Sequence, residues 1–204
     1  MTNKIIIGAV IVILGAAVGV FVWKTLPSAS KPAAGPAAPQ QMATSTYATT
    51  TFSVVYPQDF TANDAYVYDQ VNPKKPISGV KFIIPIAMAT GTNLSSYDTG
   101  ISIEQLPRAK NCTGDIYLAA NVKPSTVNEN GVEYSLATSS GAAAGNIYEE
   151  MVYALSGSSP CTAVRYYIHS TEISNYPPGA VQEFNSAALM EAFDKIRQSL
   201  QLTQ

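Results

Sequence analysis

Residues Ile5 to Trp23, IIIGAVIVILGAAVGVFVW, are 19 consecutive apolar or glycine residues without a charge, and no other feature constrains the chain as tightly. A helix rising 1.5 Å per residue over such a run is about 28 Å long, close to the ~30 Å hydrocarbon core of a bilayer. An uncleaved transmembrane signal anchor over residues 1–24 is therefore expected. The competing reading is a cleaved signal peptide, whose apolar stretch is usually ~7–15 residues and ends at small residues. Ser28-Ala29-Ser30 offers such a site, but the run is longer than a signal peptide needs and Lys24 follows it directly. Lys4 on one side and Lys24 and Lys31 on the other barely bias the orientation. The short N-terminal flank ahead of a large domain is the plan of a signal anchor whose domain is exported to the periplasm or cell exterior. If the signal is cleaved, the domain is secreted. Gly15 and Gly19 have the small-xxx-small spacing of paired membrane helices, a pattern that discriminates little in a segment already rich in glycine and alanine.

Residues 25–45 place Pro27, Pro32, Pro36 and Pro39 among alanines and serines with no periodic apolar face. This is a linker biased towards extended polyproline geometry at ~3 Å per residue. It would hold a single domain, residues 46–204, off the membrane surface. The whole chain is only 13% charged, about half of the ~25% usual in soluble domains. Of its 12 basic residues Lys4, Lys24 and Lys31 precede the domain, leaving 12 − 3 = 9 against 14 acidic ones, a net charge of −5. Such a count offers no basic footprint for nucleic acid or an anionic lipid surface.

Cys112 and Cys161 are the only cysteines. In an oxidising compartment they are expected to pair, and closing a loop of about 50 residues is worth roughly 4 kcal/mol in the chain-entropy model. Two buried free thiols in a reducing compartment are the alternative. With one histidine beside them they do not make a tetrahedral zinc set, so neither metal nor cofactor is expected.

Period-two alternation predicts short strands at Thr51–Tyr56, Val80–Ile86 (interrupted by Pro85) and Gly100–Leu106. Asp115–Ala120 reads equally as a single helical turn or as irregular chain. Asn130-Gly131 suits a type I′ turn between Thr126–Glu129 and Val132–Ala137. Two longer strands, Asn146–Leu155 and Thr162–Ser170, flank the turn residues Ser156 to Pro160. Leu189, Phe193, Ile196 and Leu200 then recur at helical spacing, with Asn185 or Ser186 as the N-cap. The fold class is thus α+β: an antiparallel β-sheet packed with a C-terminal amphipathic helix.

Phe52-Ser-Val-Val-Tyr-Pro57 with Asp59-Phe60, the antiparallel sheet, and a closing helix ending Phe193-Asp-Lys-Ile196-Arg-Gln-Ser-Leu200 resemble the PsbP-like superfamily and its anchored bacterial relatives. The runs Ile84 to Leu94 and Ala144 to Glu150 resemble those of uncharacterised exported bacterial proteins. The resemblance covers most of the domain from Phe52 onward. It implies an α-β-α sandwich used for binding or assembly, and it brings no catalytic residues with it.

The candidate chemistry is sparse. His169 shares a strand face with Arg165 and Tyr167, and an envelope hydrolase would have to use it, yet the chain has no G-x-S-x-G elbow. Adjacent Glu149 and Glu150 point to opposite faces of a strand; Glu149 is expected either at a sheet end or paired, with Arg165 on the neighbouring strand as the partner. Asp59, Asn63, Asp64 and Asp69 offer oxygens without the spacing of an EF-hand. Tyr66, Tyr68, Tyr97, Tyr148, Tyr167 and Tyr176 are candidates for an exposed contact surface, or for half-buried sheet positions. Asn93-Leu-Ser95 and Asn111-Cys-Thr113 match the glycosylation acceptor pattern. The leading expectation is a non-enzymatic, membrane-anchored binding or assembly module of the cell envelope, with a protein partner or small ligand. The alternatives are a hydrolase using His169 and a structural subunit of an envelope complex.

Overall fold

The computed structural model describes residues 43–203. The expected anchor at 1–24 and the linker up to residue 42 lie outside the described residues. Among those described, no helix is long and apolar enough to cross a membrane.

Eleven strands and one long helix make the domain. A three-stranded ribbon orders β1 (Thr44–Ala48), β2 (Phe52–Pro57) and β11 (Gln201–Leu202) as β1-β2-β11. The large sheet is antiparallel, ordered β3-β5-β6-β10-β9-β8-β7, with β4 also pairing β5. Its strands are β3 (Thr61–Asn63), β4 (Val67–Tyr68), β5 (Ile77–Ile83), β6 (Gly100–Leu106), β7 (Ser125–Glu129), β8 (Val132–Ala143), β9 (Asn146–Leu155) and β10 (Cys161–Thr171). Helix α1 is one turn, Ile86–Ala89, and α2 is Ser186–Gln198.

Each element has a local cause. Asn130 and Gly131 take φ 51° and 81°, the left-handed pair that closes the β7–β8 hairpin. Ala144 and Gly145 repeat the geometry at φ 50° and 80° and join β8 to β9, so β8 runs six residues beyond the expected Ala137. Asn185 caps α2 by accepting from the Ala188 backbone N–H at 3.0 Å. The stripe Leu189, Phe193 and Ile196 is buried, as its spacing requires, against Val54, Phe60, Phe82, Val164 and Tyr166.

The sheet's second face carries a smaller core of Tyr68, Ile77, Tyr117, Leu118, Ala137 and Val152. It is covered by the β4 segment and a 3-10 turn, Gly114–Tyr117. Among the described residues no long helix lies there, so the second helical layer implied by the PsbP-like resemblance is replaced by irregular chain. Gly114 lets that turn sit directly on the sheet: a Cβ there would lie 2.8 Å from backbone atoms of Ser135, Ala137 and Val152.

Cys112 and Cys161 lie with sulfurs 2.16 Å and Cα atoms 5.1 Å apart, fastening the chain before the turn to the start of β10. The Tyr117 hydroxyl donates to the Cys161 carbonyl at 2.6 Å beside them. Alkylation of the unfolded protein without reductant is expected to modify neither cysteine. Reduction is expected to cost roughly 2–4 kcal/mol in urea unfolding; two alkylated cysteines in the untreated protein would refute the pairing.

Candidate functional site

The register of β10 decides which polar side chains meet. Arg165 faces Ser102 on β6 and Val152 on β9, and Ser102 faces Lys81 on β5. Glu104 and Glu150 are two residues along from these positions, on the same face. Arg165 is fully buried and donates to both Glu104 oxygens, from Nε at 2.8 Å and from Nη2 at 2.9 Å. It also donates to the Tyr117 carbonyl at 2.7 Å and to Glu150. The Tyr68 ring covers the guanidinium at 3.5 Å, and the Tyr68 hydroxyl donates to Glu150 at 2.9 Å. Burial is the largest influence and works to lower the Arg165 pKa, but Glu104, Tyr68 and Glu150 together outweigh it and the net shift is upward.

The expected Arg165–Glu149 pair is thus corrected to Arg165 with Glu104 and Glu150. Glu149 sits opposite Ile168, on the other face of the sheet, and is exposed. The network is internally paired, and of its members only Glu150 borders a cavity, a small one of about 330 Å³ beside Thr138 and Ser140, so its chemistry is that of a structural core.

Lys81 is 8% exposed, with its Nζ 4.6 Å from the Tyr167 ring centre and 5.4 Å from that of Tyr66. Burial pushes its ammonium from 10.5 down to about 8, with Asp98 and Glu104 opposing. Between those values the unfolded chain holds the proton more tightly than the folded one, so stability gained from this group rises with pH. Tyr66, Tyr68 and Tyr117 are pushed upward from 10.0 by burial, so above that pH the unfolded chain ionises first and stability falls. Stability should therefore rise from about pH 8 to 10 by up to about 2 kcal/mol and then decline. Urea midpoints across that range test this: Lys81→Met should abolish the rise, and a flat profile in the unmodified protein would contradict it.

His169 is held on three sides. Nδ1 lies 2.7 Å from Asp98 Oδ1, Nε2 lies 3.0 Å from Asn146 Oδ1, and the Tyr148 ring stacks at 4.6 Å. Ser95 donates to the same Asp98 oxygen at 3.0 Å rather than to the histidine. A Ser-His-Asp arrangement needs a hydroxyl on Nε2, and an amide oxygen occupies that position here.

The other sequence candidates are dispersed. Asn93 is buried, donating to the Thr171 carbonyl at 2.9 Å and accepting from the Phe184 N–H at 3.0 Å, so this acceptor motif is closed to glycosylation in the folded chain. Asn111 is exposed. Asp59, Asn63, Asp64 and Asp69 are exposed; Asn63 accepts from the Ala65 N–H and Asp69 from Gln70. Among the described residues no three His, Cys, Asp or Glu side chains cluster as metal ligands. Of the six tyrosines, Tyr97 is 89% exposed, Tyr68 is buried and the rest are half-buried, which fits the half-buried alternative rather than a shared contact surface.

Two adjoining concave features lie at the opposite end of β5 and β6, apart from a pocket of about 490 Å³ by the β7–β8 turn and one of about 330 Å³ between β8 and β9. A groove of about 380 Å³ separates the β1–β2 ribbon from that strand pair, lined by Tyr47, Phe52, Ile77, Val80, Ile103 and Leu106. The Thr51 hydroxyl donates to Gln105 at 3.0 Å across it. A second, wider pocket of about 910 Å³ shares Pro76, Leu106 and Pro107 with the groove, and its walls carry Lys75, Arg108, Lys110 and Asp115. Net charge gave no hint of this basic wall. One signal was available: antiparallel pairing places Ser78 opposite Gln105, so Lys75 just before β5 and Arg108 just after β6 are brought to one end.

Among the comparisons with known proteins, no family model and no curated protein matches the chain. Similarity exists only at the level of solved structures. One is the solution structure of the cyanobacterial PsbP (CyanoP) from Synechocystis sp. PCC 6803, at 14% identity and TM-score 0.40, covering 82% of this chain and 98% of that one. Another is a crystal structure of a protein from Bacteroides thetaiotaomicron, at 11% identity and TM-score 0.39 over 75% of this chain. The match spans 45% of the length of that second protein. The reading of function rests on this chain's own residues.

Proposed function

We propose that the chain is a membrane-anchored binding module of the cell envelope, whose domain stands outside the cytoplasmic membrane and holds a ligand in the groove between the β1–β2 ribbon and the β5–β6 pair. The groove carries the reading. Its volume falls within the ~300–1,000 Å³ of ligand sites, and it joins mainly apolar walls to a few polar groups, Thr51, Ser78 and Gln105 among them. The apolar run Ile5 to Trp23 supports the anchor, and cysteines at disulfide distance support an oxidising compartment. The hydrolase alternative lacks comparable support, because His169 Nε2 faces Asn146.

The test compares small molecules released from purified full-length protein and from Ser78→Trp, an exposed position on the groove wall. A species recovered in about equimolar amount from the first and lost from the second is expected. Identical extracts from the two would overturn the proposal.

A further inference from the structure

Five basic side chains among the described residues are exposed and outside any ion pair: Lys74, Lys75, Arg108, Lys110 and Lys123. Three of them, Lys75, Arg108 and Lys110, line the pocket that opens beside the apolar groove. The remaining basic groups are buried or paired: Lys81, Arg165 and Arg197 lie in the interior and Lys195 binds Glu191. In a domain of net charge −5 by the count above, that concentration makes one locally cationic concavity, with three cations against the single carboxylate of Asp115. Like charges gathered without counter-ions repel one another, so the pocket favours an anion. Asp115 adds a second demand: its Oδ1 is buried and accepts no hydrogen bond, an unfilled acceptor at the wall of the same pocket.

We infer that this pocket receives the head group of a single-chain anionic amphiphile of the monoacylglycerol phosphate class, whose acyl chain lies in the adjoining groove. The inference rests on the groove being a ligand site. The phosphate meets Lys75, Arg108 and Lys110, where charge-assisted hydrogen bonds are strongest. A glycerol hydroxyl supplies the donor that Asp115 lacks. The chain passes Pro76, Leu106 and Pro107, which belong to both concavities, and then lies against the partly exposed Tyr47 and Gly79 of the groove. A bilayer surface does not fit as the occupant, because the apolar part of the site is a groove between two sheets rather than an exposed face.

The experiment uses the full-length chain in phosphatidylcholine nanodiscs and two photoreactive probes, each with a diazirine at the end of a twelve-carbon acyl chain. One is monoacylglycerol phosphate; the other is the same monoacylglycerol without phosphate. Crosslinks are mapped by mass spectrometry, with free glycerol 3-phosphate as competitor. The phosphate probe is expected to label the peptides around residues 76–80 and 103–107 about tenfold more than the neutral probe, and Arg108→Gln with Lys110→Gln should erase that difference. Equal labelling of these peptides by both probes would overturn the anionic head while leaving the groove as a ligand site. No labelling by either probe would overturn the groove reading and this inference together. Loss of labelling at low millimolar glycerol 3-phosphate would show a free phosphate ester, not an amphiphile, to be the ligand.

Discussion

Arg165→Met is expected to lower the unfolding free energy by about 3–5 kcal/mol, because it strands Glu104, a fully buried carboxylate, without its counter-ion. Against a typical total of ~5–15 kcal/mol, that is enough to leave part of the protein unfolded at moderate temperature. The same argument fixes the sign of a rescue. Replacing Glu104 by Met in the Arg165→Met background removes the orphaned charge, so the double variant should recover most of the loss. Ser102, itself buried, donates to Glu104 at 2.7 Å and loses that acceptor in the double variant, so the recovery should stop short of complete. Urea unfolding of the three variants is the measurement. A single substitution within about 1 kcal/mol of the unmodified protein would mean that water reaches Glu104.

Phe193→Ala should cost a similar amount, about 3–5 kcal/mol, through a different cause. Its ring is fully buried, 5.2 Å from that of Tyr166 and 6.5 Å from that of Phe60, so truncation leaves a cavity at the centre of the helix–sheet contact. Glu191, two residues earlier on α2, is exposed and pairs only with Lys195 at 2.7 Å. Its change to Ala should be almost silent, and thermal melting separates the two. Equal effects would place the packed face of α2 elsewhere.

The helix could be read in the sequence because one stripe of four apolar residues at helical spacing admits few other structures. The Asn130-Gly131 hairpin was readable for a similar reason, since few other dipeptides take two left-handed residues so readily. The ends of the chain's ladders were not. Thr44 and Ser45 fall within the stretch assigned to the linker yet pair with Pro57 and Tyr56, and Thr44–Ala48 has no strong pattern of its own because its strand lies on an edge. Ala137–Ala143 is too small and polar to show alternation, and only its ladder with β9 makes it a strand. The Arg165 network was misassigned by one residue, from Glu150 to Glu149. Composition says that an arginine on a central strand needs a carboxylate; only the register says which one. The basic wall was hidden because it is a property of two loops that pairing brings together.

Strand β11 returns to the ribbon at which the domain starts: Leu202 pairs with Phe52 and Gln201 with Ser53. The Thr203 N–H then donates to the Thr51 carbonyl at 2.9 Å. Residues 150 positions apart therefore close one small sheet, and a nascent or proteolysed chain that stops short of Gln201 leaves the outer edge of β2 bare. Such a fragment carries an unpaired β-ribbon into solution, the kind of edge that recruits other strands. Removal of Gln201 and Leu202 is therefore expected to raise aggregation, read by light scattering, before it melts the core.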